Sequence, residues 1–230
     1  MSNSNFLAII PARGGSERLP NKNKLNLCGK PLISWTIEAA KRSKYINKIA
    51  VTSDDSEILK IAEKSSVEII VRPDELASNT ATSVDVIKHS LENLDTYEYV
   101  VLLQPTSPLR NYRHIDESIK FLKQKNADAI ISVCKTDHNP LWSNKLDNNL
   151  SMSNFIENEQ LNKRSQDLKK FFRLNGAIYI CKTKNFLKEN TFFLKNNIFA
   201  FIMDKKSSID IDDEFDFEIA TAYMSKRVSK

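Results

Sequence analysis

Two carboxylates near the end of the chain, Asp210 and Asp212, have the types and spacing of a partial metal shell. Successive side chains of an extended segment point to opposite faces, so residues two apart share a face. Mg²⁺ prefers oxygen ligands and keeps several positions for water and phosphate oxygens. The pair therefore indicates a magnesium site. Asp213 and Asp216 fall in the first turn of a predicted helix, where the helix dipole alone explains negative charge.

A polar loop near the start of the chain, residues 11–23, has the composition of an anion site. It follows the apolar run Leu7–Ile10 and contains Gly14-Gly15, half of the four glycines in the chain. Backbone N–H groups of such a turn can surround phosphate oxygens, and Arg13 and Lys22 can neutralise charge on departing pyrophosphate. The loop matches neither GxxxxGK[ST] nor GxGxxG. Taken alone, the loop could also be a plain connection between a strand and a helix.

Two further polar segments, residues 72–83 and 104–110, each follow a strand-like run directly. Pro105 and Pro108 keep the second segment extended and stiff. Taken singly, each could be an ordinary connection. Four polar segments, three of them directly after predicted strands, favour one shared cleft.

The elements that must position these segments alternate between short apolar runs and amphipathic stretches of about a dozen residues. Such alternation predicts βαβ units and a mostly parallel sheet, whose ligands bind beyond the carboxyl ends of the strands. The predicted strands are Leu7–Ile10, Ile49–Thr52, Glu68–Val71, Tyr99–Leu103, Ala129–Val133, Asn175–Cys181 and Ile198–Met203. The predicted helices are Pro31–Ser43, Asp55–Lys64, Ser83–Leu94, His114–Gln124, Lys184–Leu187 and Asp213–Lys226.

The regular pattern is interrupted between about residues 138 and 170. This segment is polar, with apolar residues scattered through it. A structureless loop of such length is uncommon in a compact domain. We therefore predict one domain over residues 1–230, with an excursion at 138–170 that packs on something else, such as a second subunit.

The bulk properties argue against several classes of protein. The net charge of +5 and pI of about 9.0 are too small and too dispersed to indicate nucleic-acid binding. No apolar run approaches the ~20 residues that cross a membrane, and the first one lacks the basic region of a signal peptide. Three separated cysteines indicate reduced thiols. We expect a cytoplasmic protein that binds neither membrane nor nucleic acid.

Several motifs, in order along residues 6–224, resemble those of the CMP-sialic acid synthetases (acylneuraminate cytidylyltransferases). The resemblance implies an α/β, Rossmann-like three-layer nucleotidyltransferase fold. It also implies the reaction of CTP with a nine-carbon nonulosonic acid, most simply N-acetylneuraminic acid, to give a CMP-sugar and pyrophosphate with Mg²⁺. The motifs are Ile10-Pro-Ala-Arg-Gly-Gly-Ser16, Pro20-Asn-Lys-Asn23, Arg72-Pro-Asp-Glu-Leu-Ala77, Leu102-Leu-Gln-Pro-Thr-Ser-Pro-Leu-Arg110, Asn175-Gly-Ala-Ile-Tyr179 and Ser208-Ile-Asp-Ile-Asp212.

The same resemblance implies roles for individual residues, and a homodimer in which segment 138–170 reaches into the partner. The implied catalytic residues are Arg13, Lys22, Asp210 and Asp212, the last two as metal ligands. The implied nucleotide-binding residues are Ala12, Arg13, Gly14, Gly15, Ser16, Lys22, Asn23, Arg72, Ala81 and Ser83. The implied sugar-binding residues are Gln104, Thr106, Arg164, Tyr179, Phe192 and Phe193.

The chain also departs from the pattern it resembles. Glu17 stands where lysine is frequent, Trp142 where sialate-specific members can carry lysine, and Leu174 where many have proline; Arg164 fits its position only to within one residue. Legionaminic and pseudaminic acid therefore stay open as substrates. So do two different activities, a sugar-nucleotide-dependent glycosyltransferase and a nucleotide-binding protein without catalysis. Release of pyrophosphate from CTP separates both of these from a synthetase.

Overall fold

The computed structural model describes residues 4–78 and 80–228 and has a seven-stranded sheet at its centre. A separate two-stranded hairpin, missed by the sequence pattern, follows the opening loop. The strands are β1 (Phe6–Pro11), β2 (Asn26–Leu27), β3 (Lys30–Pro31), β4 (Ile46–Ser53), β5 (Glu68–Val71), β6 (Tyr99–Leu102), β7 (Ala129–Lys135), β8 (Phe172–Lys182) and β9 (Ile198–Met203). The large sheet has the order β5-β4-β1-β6-β8-β7-β9.

Helices cover both faces of this sheet, which confirms the three-layer α/β prediction. One face carries α1, α2 and α5, which pack on the side chains of Phe6, Ala8 and Ile10. The other carries α4 and α6, which pack on Leu7 and Ile9. The helices are α1 (Leu32–Lys41), α2 (Ser56–Lys64), α3 (Asp74–Ala77), α4 (Ser83–Glu92), α5 (Tyr112–Lys125), α6 (Thr183–Glu189) and α7 (Glu214–Val228).

Strand β1 is central because its side chains are apolar on both faces. Residues Phe6 to Ile10 have no solvent exposure, as expected for a strand in a parallel sheet covered by helices on each side. β1 pairs in parallel with β4 and β6. The carboxyl ends of these strands therefore lie at one edge, and the polar segments that follow them begin there.

Strand β8 runs antiparallel between β6 and β7, with Tyr179 opposite Leu102 on one side and Ile131 on the other. Because its direction is reversed, its first half lies at the edge where β1 and β6 end. Its start at Phe172 is three residues earlier than the predicted start at Asn175. The strand thus brings Gly176 to the same edge as the opening loop.

A third apolar cluster connects the end of the chain to the hairpin. Ile211, between the two aspartates of the predicted metal pair, is fully buried against Leu27 and Leu32, and Met224 of α7 joins them. This packing holds residues 210–212 beside the opening loop. No helix within residues 4–78 and 80–228 has the length and apolar composition needed to cross a membrane.

Segment 138–170 contains three short 3₁₀ turns and has large apolar side chains in solvent. Leu150 is 69% exposed and Met152 62% exposed. Most of its backbone hydrogen bonds are local, such as Leu150 N–H to the Asp147 carbonyl. The predicted excursion is irregular as expected, and what it packs on stays a prediction.

Candidate active site

The polar segments meet in one cleft of about 380 Å³ beyond the carboxyl ends of β1, β5 and β6. Residues from the beginning, middle and end of the chain line it together. Of the residues proposed from sequence, those that line it are Arg13, Ser16, Lys22, Asn23, Arg72, Ala81, Ser83, Gln104, Thr106 and Asp212. Those that do not line it are Ala12, Gly14, Gly15, Arg164, Tyr179, Phe192, Phe193 and Asp210.

Lys22 links the opening loop to the carboxylate pair at the other end of the chain. Its Nζ donates a 2.7 Å hydrogen bond to the carbonyl of Ile211, 189 residues away. The same Nζ lies 4.0 Å from Asp212 Oδ1. Burial lowers the pKa of Lys22, and the charges of Asp212 and Asp210 partly oppose that effect. The ammonium group is therefore held between the cleft and the two acids.

Asp212 has a second cationic neighbour that the sequence analysis missed. Arg18 Nη2 lies 2.7 Å from Asp212 Oδ1, although both side chains are about half or more exposed. The backbone N–H of Asp212 donates to Asp216 Oδ2 at 2.9 Å, so Asp216 also fixes the aspartate's backbone. No sequence signal distinguishes Arg18 from neighbouring polar residues, because its direction depends on how the loop folds.

Asp210 does not line the cleft and is largely buried. Its carboxylate accepts a hydrogen bond from the side chain of Thr106, and burial raises its pKa despite that bond. Its Oδ1 is buried without a hydrogen-bond partner among the described residues. A buried carboxylate oxygen with no donor is unfavourable unless a cation or donor reaches it.

Gly176 is the residue that lets Asp210 come this close. Its φ is +69°, and a Cβ there would stand 2.6 Å from Gln104 Oε1 and 2.8 Å from Asp210 Oδ2. The positive φ favours glycine, and a Cβ would force the Gln104 amide or the Asp210 carboxylate to move. Gly176 lies in the motif Asn175-Gly-Ala-Ile-Tyr179, and the scarcity of glycine in this chain is the sequence signal for its role.

In the glycine pair of the opening loop, the N–H of Gly14 already donates to a carboxylate of the protein. Gly14 donates its N–H to Asp54 Oδ1 at 3.0 Å, and a Cβ at Gly14 would lie 2.9 Å from the Cβ of Asp55. Among the described glycines, positive φ occurs at Gly29 and Gly176. Gly14 is thus needed for close packing on the acids after β4, and Asp54 is another residue the sequence analysis missed.

The other end of the cleft carries buried polar groups. Arg72 is 6% exposed and donates from Nη2 to the Thr52 carbonyl at 3.0 Å. Asn23 donates from Nδ2 to the Arg13 carbonyl at 3.0 Å. Arg72 Nε and Asn23 Oδ1 have no hydrogen-bond partner among the described residues. Ser83 adds polarity at the first turn of α4.

A group of three aromatic residues lies near Asp210. The ring of Tyr179 lies 5.8 Å from that of Phe192 and 6.3 Å from that of Phe193. Burial raises the pKa of Tyr179, and the charge of Asp210 raises it further. These three proposed sugar residues are therefore close together. Arg164 is not with them: its Nε pairs with Asp167 at 2.9 Å on the exposed segment.

The residues present fit a magnesium ion with few protein ligands. Asp212 faces the cleft and Asp210 Oδ1 lacks a protein donor among the described residues. Within residues 4–78 and 80–228 no group of three or more His, Cys, Asp or Glu side chains is placed to hold a metal. Mg²⁺ is often held by one or two carboxylates together with phosphate oxygens and water. The remaining positions would thus belong to a substrate.

Comparisons with known proteins identify the family of this chain. Residues 7–223 match the family described as "Cytidylyltransferase". The N-acylneuraminate cytidylyltransferase of Escherichia coli O18:K1:H7 is 39% identical over 96% of this chain and 52% of its own length. The chain therefore spans about half the length of that relative.

Two other similar proteins are covered almost completely. The CMP-N,N'-diacetyllegionaminic acid synthase of Legionella pneumophila is 32% identical over 95% of this chain and 96% of its own length. The solved structure of a CMP:2-keto-3-deoxy-manno-octonic acid synthetase complexed with CTP superposes with a TM-score of 0.73 at 17% identity, covering 97% and 100% of the two chains. That structure supports the fold alone.

Proposed function

Because the chain belongs to the cytidylyltransferase family, we propose that it transfers CMP from CTP to a nine-carbon nonulosonic acid and releases pyrophosphate. The observation that carries the proposal is the bond from Lys22 Nζ to the Ile211 carbonyl, beside Asp212. It joins a cationic loop suited to a triphosphate to an acidic pair suited to a metal. The names of the similar synthases support the substrate class.

The nucleotide would lie along the cleft with its base near Arg72 and Asn23, which have buried polar atoms without partners among the described residues. Its phosphates would then lie near Arg13 and Lys22. The anomeric hydroxyl of the sugar would attack the α-phosphorus in line with the departing pyrophosphate. Such transfers depend on positioning and on charge stabilisation. Lys22 fits the second task because it is fixed by Ile211 before substrate arrives.

Mg²⁺ is the proposed cofactor, held by Asp210 and Asp212. When bound, it would polarise the α-phosphate and lower the pKa of the attacking hydroxyl. The metal site can be tested without turnover by titrating Mn²⁺ in the presence of CTP and following the electron paramagnetic resonance of free Mn²⁺. Asp210→Asn should weaken Mn²⁺ binding strongly, and unchanged binding would contradict the assignment.

The nonulosonic acid would occupy the side of the cleft near Gln104 and Tyr179. We further propose a homodimer in which segment 138–170 of the partner completes that side and supplies an arginine equivalent to Arg164. The exposed apolar residues of the segment support this part of the proposal, because such side chains favour burial. N-acetylneuraminic acid is the first candidate sugar, with legionaminic and pseudaminic acid as alternatives. CTP as substrate favours a cytoplasmic location.

A pyrophosphate-release assay with CTP and Mg²⁺ tests the proposed reaction. N-acetylneuraminic, legionaminic and pseudaminic acids should be compared side by side, with the CMP-sugar identified by ³¹P NMR. We expect release with at least one of them and a clear order of kcat/KM. Binding of CTP by calorimetry without turnover on any sugar would instead favour a nucleotide-binding protein. Transfer of sugar from a CMP-sugar to an acceptor, without pyrophosphate, would favour a glycosyltransferase.

A further inference from the structure

A second, smaller pocket lies between α1, the start of α5 and the end of α7, and shares no lining residue with the cleft. Its volume is about 40 Å³. Three arginines line it, Arg42, Arg110 and Arg227, and we call it the arginine pocket. Like charges gathered around one small space repel each other unless an anion joins them.

Arg110 is the buried member of this group, with 1% exposure. Its Nη2 donates to Thr36 Oγ1 at 2.8 Å and to the Gln104 carbonyl at 3.3 Å. Both acceptors are neutral. Its Nε and Nη1 are buried without a hydrogen-bond partner among the described residues. Burial, assisted by the charge of Arg227, lowers the pKa of Arg110 to about 9, which leaves it charged at neutral pH.

The acid that lines the pocket, Glu38, has its own cation. Its Oε2 contacts Lys30 Nζ on the neighbouring hairpin. Arg42 stacks on the ring of Tyr112 at 4.4 Å, and Arg227 donates to the Leu109 carbonyl at 3.4 Å. Among the described residues that line the pocket, one carboxylate, Glu38, accompanies three guanidinium groups, and it is already paired with Lys30. A buried charge is rarely left without a counter-ion, because its desolvation is costly.

We propose that the arginine pocket binds a small inorganic anion, of the size of chloride or orthophosphate, as the counter-ion of Arg110. A cavity needs about 10–15 Å³ to hold one water molecule. The arginine pocket, at about 40 Å³, therefore accepts a small ion and excludes a nucleotide. This inference does not depend on the reaction proposed for the cleft.

Anion binding here would also stiffen one wall of the cleft. Arg110 holds the carbonyl of Gln104, and Arg227 holds that of Leu109. These contacts fix both ends of the segment 104–110, whose Gln104 and Thr106 line the cleft. The anion would therefore act on the site through the position of this segment.

Thermal unfolding at constant ionic strength tests the proposal, with sodium gluconate replaced stepwise by chloride, bromide or phosphate. An anion that binds the folded state raises Tm with saturation, by on the order of 5 °C at about 100-fold excess over its Kd. Comparison of the chloride and phosphate series shows which ion fits better. No saturable rise with any of these anions would overturn the proposal.

Three variants identify where the anion binds. Arg227→Gln and Arg42→Gln alter exposed residues of the pocket and should abolish the rise. Arg113→Gln is the matched control, because Arg113 also contacts Tyr112 but does not line the pocket. Lys22→Ala removes a cation of the cleft and should leave the rise intact. A rise that survives in both pocket variants, or disappears in Lys22→Ala, would assign the anion elsewhere and refute the inference.

Crystals grown in bromide give an independent answer. An anomalous peak within hydrogen-bond distance of Arg110 Nε or Nη1 is expected. An arginine pocket without bromide, in crystals that bind it at other sites, would contradict the proposal.

Discussion

The cleft and segment 138–170 are both polar and irregular in sequence, yet they are built in opposite ways. The cleft joins distant parts of the chain, as in the bond from Lys22 to Ile211 across 189 residues. The segment is held by short-range contacts, such as Arg164 with Asp167 three residues away. Asn23 and Arg72 of the cleft are buried although they are polar, whereas apolar side chains of the segment, including Leu150, are in solvent.

This difference indicates which half of the site a single chain completes. The proposed nucleotide end has its cations and its acids in contact before any ligand arrives. The proposed sugar end has Gln104 and the ring of Tyr179, but Arg164 lies elsewhere on the same chain. A segment with exposed apolar residues and few long-range bonds would be stabilised by docking on another surface. The proposed partner subunit would provide that surface.

The largest expected effect concerns the acidic end of the cleft. Asp212→Asn should lower kcat/KM by about 10²-fold or more, the usual loss when one charge-stabilising group is removed. Steady-state pyrophosphate release measures it. Asp213→Asn makes the same chemical change one residue away, and Asn retains the acceptor that receives the Asp216 N–H. If Asp212→Asn were as active as wild type and Asp213→Asn, turnover would not depend on the Asp212 carboxylate.

Rigidity at the back of the cleft should make Gly176→Ala costly. A left-handed φ and a Cβ overlapping Gln104 and Asp210 predict a loss of about 2–4 kcal/mol in the free energy of unfolding. Urea denaturation followed by circular dichroism measures this loss. Gly15→Ala is the control, because nothing lies within 4 Å of its added Cβ, and it should stay within about 0.5 kcal/mol of wild type. Similar stabilities would remove the steric argument for Gly176.

The segment should respond in assembly and sugar use and not in nucleotide binding. The double change Leu150→Glu/Met152→Glu should convert a dimer to monomers and raise the KM for the sugar by about tenfold, roughly the loss of one or two polar contacts. Light scattering measures the assembly, the pyrophosphate-release assay measures the KM for the sugar, and calorimetry checks that CTP binding is unchanged. Asn148→Glu/Asn162→Glu adds the same charge at exposed polar positions of the segment. A wild-type monomer with normal turnover would refute the proposed role of the partner.

The smallest effect is a shift in pH dependence. Burial places the pKa of Lys22 below its ordinary value of 10.5, so its proton is lost at a lower pH than from a free lysine. Because the charged form is the one that would stabilise pyrophosphate, kcat/KM for CTP should fall on the alkaline side below pH 10.5. Lys22→Arg keeps its charge to higher pH and should move that limb upward. If the alkaline fall of kcat/KM occurred at the same pH in both proteins, it would reflect the titration of another group.

Local signals in the sequence were sufficient for much of the fold. The apolar run Leu7–Ile10 predicted β1, and the amphipathic stretch Pro31–Ser43 predicted α1, whose residues do pack on β1. The prolines and polar residues after β6 predicted a site segment, and Gln104 and Thr106 line the cleft. These signals work because periodicity and turn chemistry act between near neighbours.

Contacts between distant segments were outside that reach. The pairing of Asp212 with Arg18 depends on how the opening loop turns. Gly14 is needed because the side chain of Asp55, which follows β4 in the chain, packs closely against it. Neither contact produces a periodic pattern of residue types in the sequence. The separation of Arg164 from Tyr179 has the same origin, because the segment's position depends on tertiary contacts.

By itself, the sequence determined the alternation of strands and helices, the family motifs and the acidic pair, since each depends on residue types over a few positions. The tertiary structure decided that β8 runs antiparallel between β6 and β7 and brings Gly176 against Asp210. It also decided that Lys22 reaches Ile211 and that Arg110 is buried among neutral acceptors. Those outcomes depend on which elements pack together, and that is a property of the whole chain.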